Sequence, residues 1–152
     1  MHAWPLLLFT LLMQMSVGGF ITLEYYRWRL GRDRGASFRA PADLILVIIL
    51  ILTGIATLIS LLHLGSPLRA WHSIHNLGAS WLSREILCVI LYGLSLLLYT
   101  AARLFSRIRS SARRWMAVLT AVFGLGLVVV MSAIYMLPTV PVWNNPVTPV
   151  SF

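Results

Sequence analysis

Apolar residues along the chain gather into four runs, roughly Ala3 to Leu23, Leu44 to Leu62, Ile86 to Ala102 and Met116 to Leu137, none of which contains Lys, Arg, Asp or His. A helix rises about 1.5 Å per residue, so about 20 such residues cross a hydrocarbon core about 30 Å thick. With their flanks the runs predict four transmembrane helices over about 3–26, 43–63, 82–103 and 115–137. The polar connections are of two kinds. Two are dense in arginine, and the one between the second and third runs holds three of the four histidines and two tryptophans.

Within that central connection, Ser66 and Pro67 form a helix start and Gly78 a stop. Pro67, Ala70, Trp71, Ile74 and Leu77 share one side of the intervening turns, while Ser66, Arg69, His72, Ser73 and Asn76 share the other. The pattern predicts a short amphipathic helix lying in the interface plane between the second and third spans. Ser80 or Ser83 then caps the third span. The tail, 138–152, carries four prolines in twelve residues and reads as an extended segment.

Finer marks follow from the same pattern. Pro5 suits a first helical turn, and Gly18, Gly19 and Gly54 are expected points of close helix approach. Tyr92, Gly93, Ser95 and Tyr99 in the third span, and Gly124, Gly126 and Ser132 in the fourth, are expected to face other helices. The loop from Arg27 to Arg39 ends at Pro41, which places Asp43 in the first turn of the second span as a capping charge.

Composition turns this pattern into a class. Of 152 residues, 59% are hydrophobic and 11% charged, with a mean hydropathy of +0.86, which is membrane and not soluble composition. The protein is therefore expected to be an all-α integral membrane protein, a single transmembrane domain over 1–152. Its formal charge of +8 comes from twelve arginines. Ten lie in the two arginine connections, and only Arg69 and Arg84 lie on the other side. This asymmetry is a topology signal and not a nucleic-acid footprint: the arginine loops are expected in the cytoplasm, and both termini and residues 64–84 on the outer face. The lone Cys88 excludes an internal disulfide and a four-thiolate iron–sulfur cluster within this chain and reads as a packing residue.

The chemistry-bearing residues converge on 63–85. His63 ends the second span and Glu85 opens the third, so both are expected at the same depth. Each has a plain reading as a partner of a helix dipole. The functional reading is a proton-handling pair for a lipid-soluble quinol, whose oxidation releases two protons and two electrons, with Trp71 or Trp81 lining the ring pocket. Haem is disfavoured, because His72 and His75 share one short helix and His2 is terminal. His72 and His75 alone make too few ligands for a metal site.

The segment also resembles the anchor subunit of the anaerobic dimethyl sulfoxide reductase family. The resemblance rests on His63-Leu64-Gly65, Pro67, Arg69-Ala70, Gly78-Ala79-Ser80 and Ser83-Arg84-Glu85-Ile86. It extends to Trp4-Pro5-Leu6 with Gly18-Gly19-Phe20, and to Thr139-Val140-Pro141, Trp143 and Thr148-Pro149. It implies a multi-pass anchor in a bacterial inner membrane that oxidises menaquinol and has no haem or iron–sulfur cluster of its own. Electrons would pass to an iron–sulfur subunit and then to a molybdopterin catalytic subunit. It also implicates His63 and Glu85 in the quinol site; the candidate quinol-binding set is His63, Arg69, Trp71, Ser83 and Glu85, with His63 and Glu85 as the reactive pair. The family's anchor has eight spans, so these four are expected to be its amino-terminal half. The competing expectation is a structural tether that never touches quinol. A four-helix transporter is disfavoured by the absence of a mid-membrane charge.

Overall fold

The computed structural model describes residues 4–30, 39–63, 81–105 and 108–135. These form four helices: α1 (Trp4–Leu30), α2 (Arg39–His63), α3 (Trp81–Leu104) and α4 (Ser110–Tyr135). All four are long and apolar enough to cross a membrane. In a solvent that cannot hydrogen-bond, a helix is the open-ended structure that satisfies its own backbone, and the Leu, Ile and Ala runs favour it further. Pro5 and Pro41 are the second and third residues of α1 and α2. Their missing N–H groups cost nothing in a first turn.

The helices run alternately up and down. Each packs against two others, α1 and α3 both touching α2 and α4, and the pairs α1–α2 and α3–α4 are the most closely packed. The fold is thus two helical hairpins closed into a four-helix ring. One end holds the start of α1, the end of α2, the start of α3 and the end of α4. The other is the arginine end.

The distribution of side chains suits lipid outside and protein inside. Leu7, Ile48, Leu94 and Val122 are exposed, whereas Ser16, Thr53, Thr120 and Glu85 are buried. The core is lined by Met13, Val17, Phe20, Leu46, Tyr92, Leu96, Tyr99, Leu127 and Met131. Thr53, Thr57, Thr100 and Thr120 each donate to the carbonyl four residues earlier, at 2.7 to 2.9 Å, so these hydroxyls need no water.

Several expectations are corrected. α1 runs through Leu30, so Arg27 and Arg29 are helical and not part of a loop. α2 begins at Arg39, which puts Asp43 beyond its first turn, where no acid lies. Asp43 binds side chains of other helices and is not a cap. Ser83 lies inside α3 and does not cap it, and Glu85 is the fifth residue of that helix. Of the described glycines, Gly124 makes a close approach and a Cβ at Gly19 would be in ordinary contact with Ile49, whereas a Cβ at Gly18, Gly54, Gly93 or Gly126 would meet nothing within 4 Å. The short helix expected over 66–78 and the extended tail fall outside the described residues.

Candidate functional site

The polar interior of the bundle is arranged along α3. Glu85, Tyr92 and Tyr99 follow at intervals of seven residues, close to two helical turns, and all three are buried. They therefore lie on one line down the inside of the ring, and each marks a different level.

The middle level is a node of three hydroxyls from three helices. The Thr53 hydroxyl donates to the Ile49 carbonyl at 2.9 Å. Its oxygen then accepts from Ser16 at 2.6 Å, and Ser16 accepts in turn from the Tyr92 hydroxyl at 2.9 Å. Every hydroxyl proton of the node is used, so it ties α1, α2 and α3 without leaving a buried donor unpaired. Gly124 of α4 closes it from the fourth side. A Cβ there would lie 3.0 Å from Val17 and 3.1 Å from the Tyr92 ring.

At the arginine end, Asp43 of α2 accepts from Arg27 of α1 at 2.6 Å and from Arg103 of α3 at 3.1 Å. Arg27 also pairs with Glu24 at 2.6 Å and reaches the Tyr99 hydroxyl at 3.5 Å. The Phe20 ring stands edge-on to Tyr99, centroids 5.6 Å apart. These contacts hold three helices in register.

The opposite end differs. Glu85 is only 8% exposed and Ser83 only 1%. The Ser83 hydroxyl oxygen has no hydrogen-bond partner among the described residues. No hydrogen bond or ion pair among them reaches the Glu85 carboxylate either. An ionisable group buried at membrane depth, without a counter-charge among the described residues, is a candidate functional residue. Cys88, one turn further in, is a free thiol packed against the core.

Of the residues predicted from sequence, Ser83 and Glu85 are both buried near the start of α3, two residues apart and therefore on different sides of that helix. His63 is the last residue of α2, at the same end of the bundle. Counting from the hydroxyl node, Glu85 lies about 10 Å and His63 about 15 Å outward along their helix axes, about one turn apart in depth. Arg69 and Trp71 fall outside the described residues. Sequence reasoning missed the hydroxyl node and the Arg27–Asp43–Arg103 network. The available signal was small: isolated Ser16 and Thr53 inside apolar runs, and an acid and arginines at matching distances from them.

Comparison with known proteins agrees with this all-helical membrane architecture. No solved structure matches the protein. An anaerobic dimethyl sulfoxide reductase subunit of Haemophilus influenzae is 28% identical over 152 residues, covering 100% of this sequence and 53% of the relative. In Escherichia coli K12, two anaerobic dimethyl sulfoxide reductase subunits match, one of them YnfH. YnfH is 31% identical and the other 35% identical, each covering 99% of this sequence and 52% of the relative. The chain spans about half the length of these relatives. The sequence model described as DMSO reductase anchor subunit (DmsC) matches residues 1–152, and the chain therefore belongs to the DmsC family of DMSO reductase anchor subunits.

Proposed function

We propose that this chain provides the quinol-binding part of a membrane anchor that feeds a dimethyl sulfoxide reductase type of complex. The observation that carries this reading is the burial of Glu85 at one end of the bundle, where neither it nor Ser83, two residues earlier in α3, is bonded among the described residues. In it, menaquinol is the bound substrate. Its ring enters from the lipid, Glu85 accepts the proton of one hydroxyl as the electrons leave, and Ser83 lines the same end of the bundle. His63 serves the second proton, with Arg69 and Trp71 completing the pocket. The two electrons pass to an iron–sulfur subunit and onward to a molybdopterin subunit. The site faces the periplasm of a bacterial inner membrane, with both termini on that side.

Glu85→Gln tests this, because it keeps the volume and a hydrogen-bonding group while removing the base. In membranes holding the variant, the soluble subunits and the remaining anchor half, quinol-driven reduction should fall by about 10² to 10⁴-fold, the usual contribution of a general base. Dye-driven reduction, which does not pass through the quinol site, should persist. Equal rates with quinol and dye at normal levels of complex would leave Glu85 a structural residue and the chain a tether.

A further inference from the structure

Three arginines point into the bundle at the same level. Arg27 lies eleven residues beyond Ser16, Arg103 eleven beyond Tyr92, and Arg113 eleven before Gly124. Ser16, Tyr92 and Gly124 meet at the hydroxyl node. Eleven residues make about three turns, so each arginine keeps the inward direction of its reference residue. Because neighbouring helices are antiparallel, all three are displaced the same way, by about 16 Å. A bilayer whose apolar core extends about 15 Å either side of its centre has its phosphates just beyond that depth.

The charges at this level do not balance. Arg27 and Arg103 face Glu24 and Asp43, while among the described residues Arg113 has only the Ile108 carbonyl, at 3.0 Å. Among those residues, these three guanidinium groups thus meet two carboxylates. Each of the three also has a buried Nε–H with no acceptor among the described residues: Arg27, Arg103 and Arg113 are the arginines in which this occurs. No Asp or Glu follows Glu85 in the sequence, so the α3–α4 hairpin has no acid of its own at this end. Trp28, Phe105 and Trp115 are strongly exposed beside it. A ligand that fits brings one negative charge, several acceptor oxygens and an apolar body.

We propose that the arginine end of the bundle binds the phosphodiester of an acidic phospholipid, with Arg113 as the principal ligand and Arg27 and Arg103 completing the field. A monoanionic phosphate offsets the charge of Arg113, which faces no carboxylate among the described residues, and its unesterified oxygens accept from guanidinium donors. The acyl chains lie over the exposed aromatic side chains. The site is independent of the quinol reading, being at the opposite end of the bundle.

The test uses the full-length protein extracted from membranes, with bound lipid counted by native mass spectrometry. Thermal midpoints are then measured after adding dioleoylphosphatidylglycerol, dioleoylphosphatidylcholine or inorganic phosphate. One phosphatidylglycerol should be retained per protein molecule and should raise the midpoint, and the other two additions should not. Arg113→Gln should weaken that retention at least tenfold. Arg113→Lys, which keeps the charge and loses the fork, should fall between. Arg109→Gln removes the same net charge from an exposed position and should bind as the parent does. Equal retention by Arg113→Gln and the parent, or an equal loss in Arg109→Gln, would overturn the site. Stabilisation by inorganic phosphate matching that by the lipid would make the ligand a soluble anion and overturn the lipid assignment. Should Arg113→Gln lose its helical circular dichroism, the comparison of Arg113→Lys with Arg109→Gln decides, and equal retention by those two overturns the proposal.

Discussion

Gly124 shows how much a single position carries. A Cβ there would sit 3.0 to 3.2 Å from Val17 and the Tyr92 ring, closer than carbon atoms rest at optimal contact. Neither neighbour moves freely, since Tyr92 is held by Ser16. Gly124→Val is therefore expected to destabilise the protein by about 1 to 3 kcal/mol, the usual cost of overpacking. Gly126→Val, two residues on and facing open space, should change stability by no more than about 0.5 kcal/mol. Unfolding of the two variants in mixed micelles measures the difference, and similar losses would mean that α4 does not pack through Gly124. From the sequence both glycines looked alike. Only the direction in which each faces separates them, and that depends on where the neighbouring helices lie.

For the elements, the governing number is the arginine asymmetry. Ten arginines flank one end of the four helices and two the other. Retention of positively charged connections in the cytoplasm orients the whole set. Single cysteines at Ser37, Ser66 and Ser110, in a Cys88→Ala background, should react with an impermeant thiol reagent in intact cells only at position 66. Labelling at position 37 would reverse the orientation and move the proposed quinol site to the cytoplasmic side. Element identity was plain in advance, because apolar runs of this length have few alternatives in lipid. Element ends were not. α1 extends through Leu30 and α2 starts at Arg39, since Arg27 and Asp43 can stay helical by bonding to each other, a compensation that no local pattern displays.

At the scale of the whole molecule, two closely packed hairpins must be joined, and Asp43 joins them. It receives Arg27 from its own hairpin and Arg103 from the other. Asp43→Asn leaves Arg103 without a carboxylate partner among the described residues and Arg27 with Glu24 alone. Breaking buried ion pairs from one side costs about 3 to 5 kcal/mol, and because Asp43 is 27% exposed the lower part of that range is expected. Reduced membrane levels and easier proteolysis at the arginine end would be measured. A variant as stable as the parent would show that the hairpins are held by apolar packing and the hydroxyl node alone. Sequence by itself determined the class, the number of spans, the family and the position of Glu85 near the end of a helix, because length, hydropathy and a dense local motif are properties of one stretch of polypeptide. Tertiary structure alone decided that Ser16, Thr53 and Tyr92 meet, that Asp43 bridges helices, and that Glu85 and Ser83 are buried without partners among the described residues. Those facts depend on which sides of separate helices face inward, and a helix in lipid is apolar all round, so its own pattern does not say.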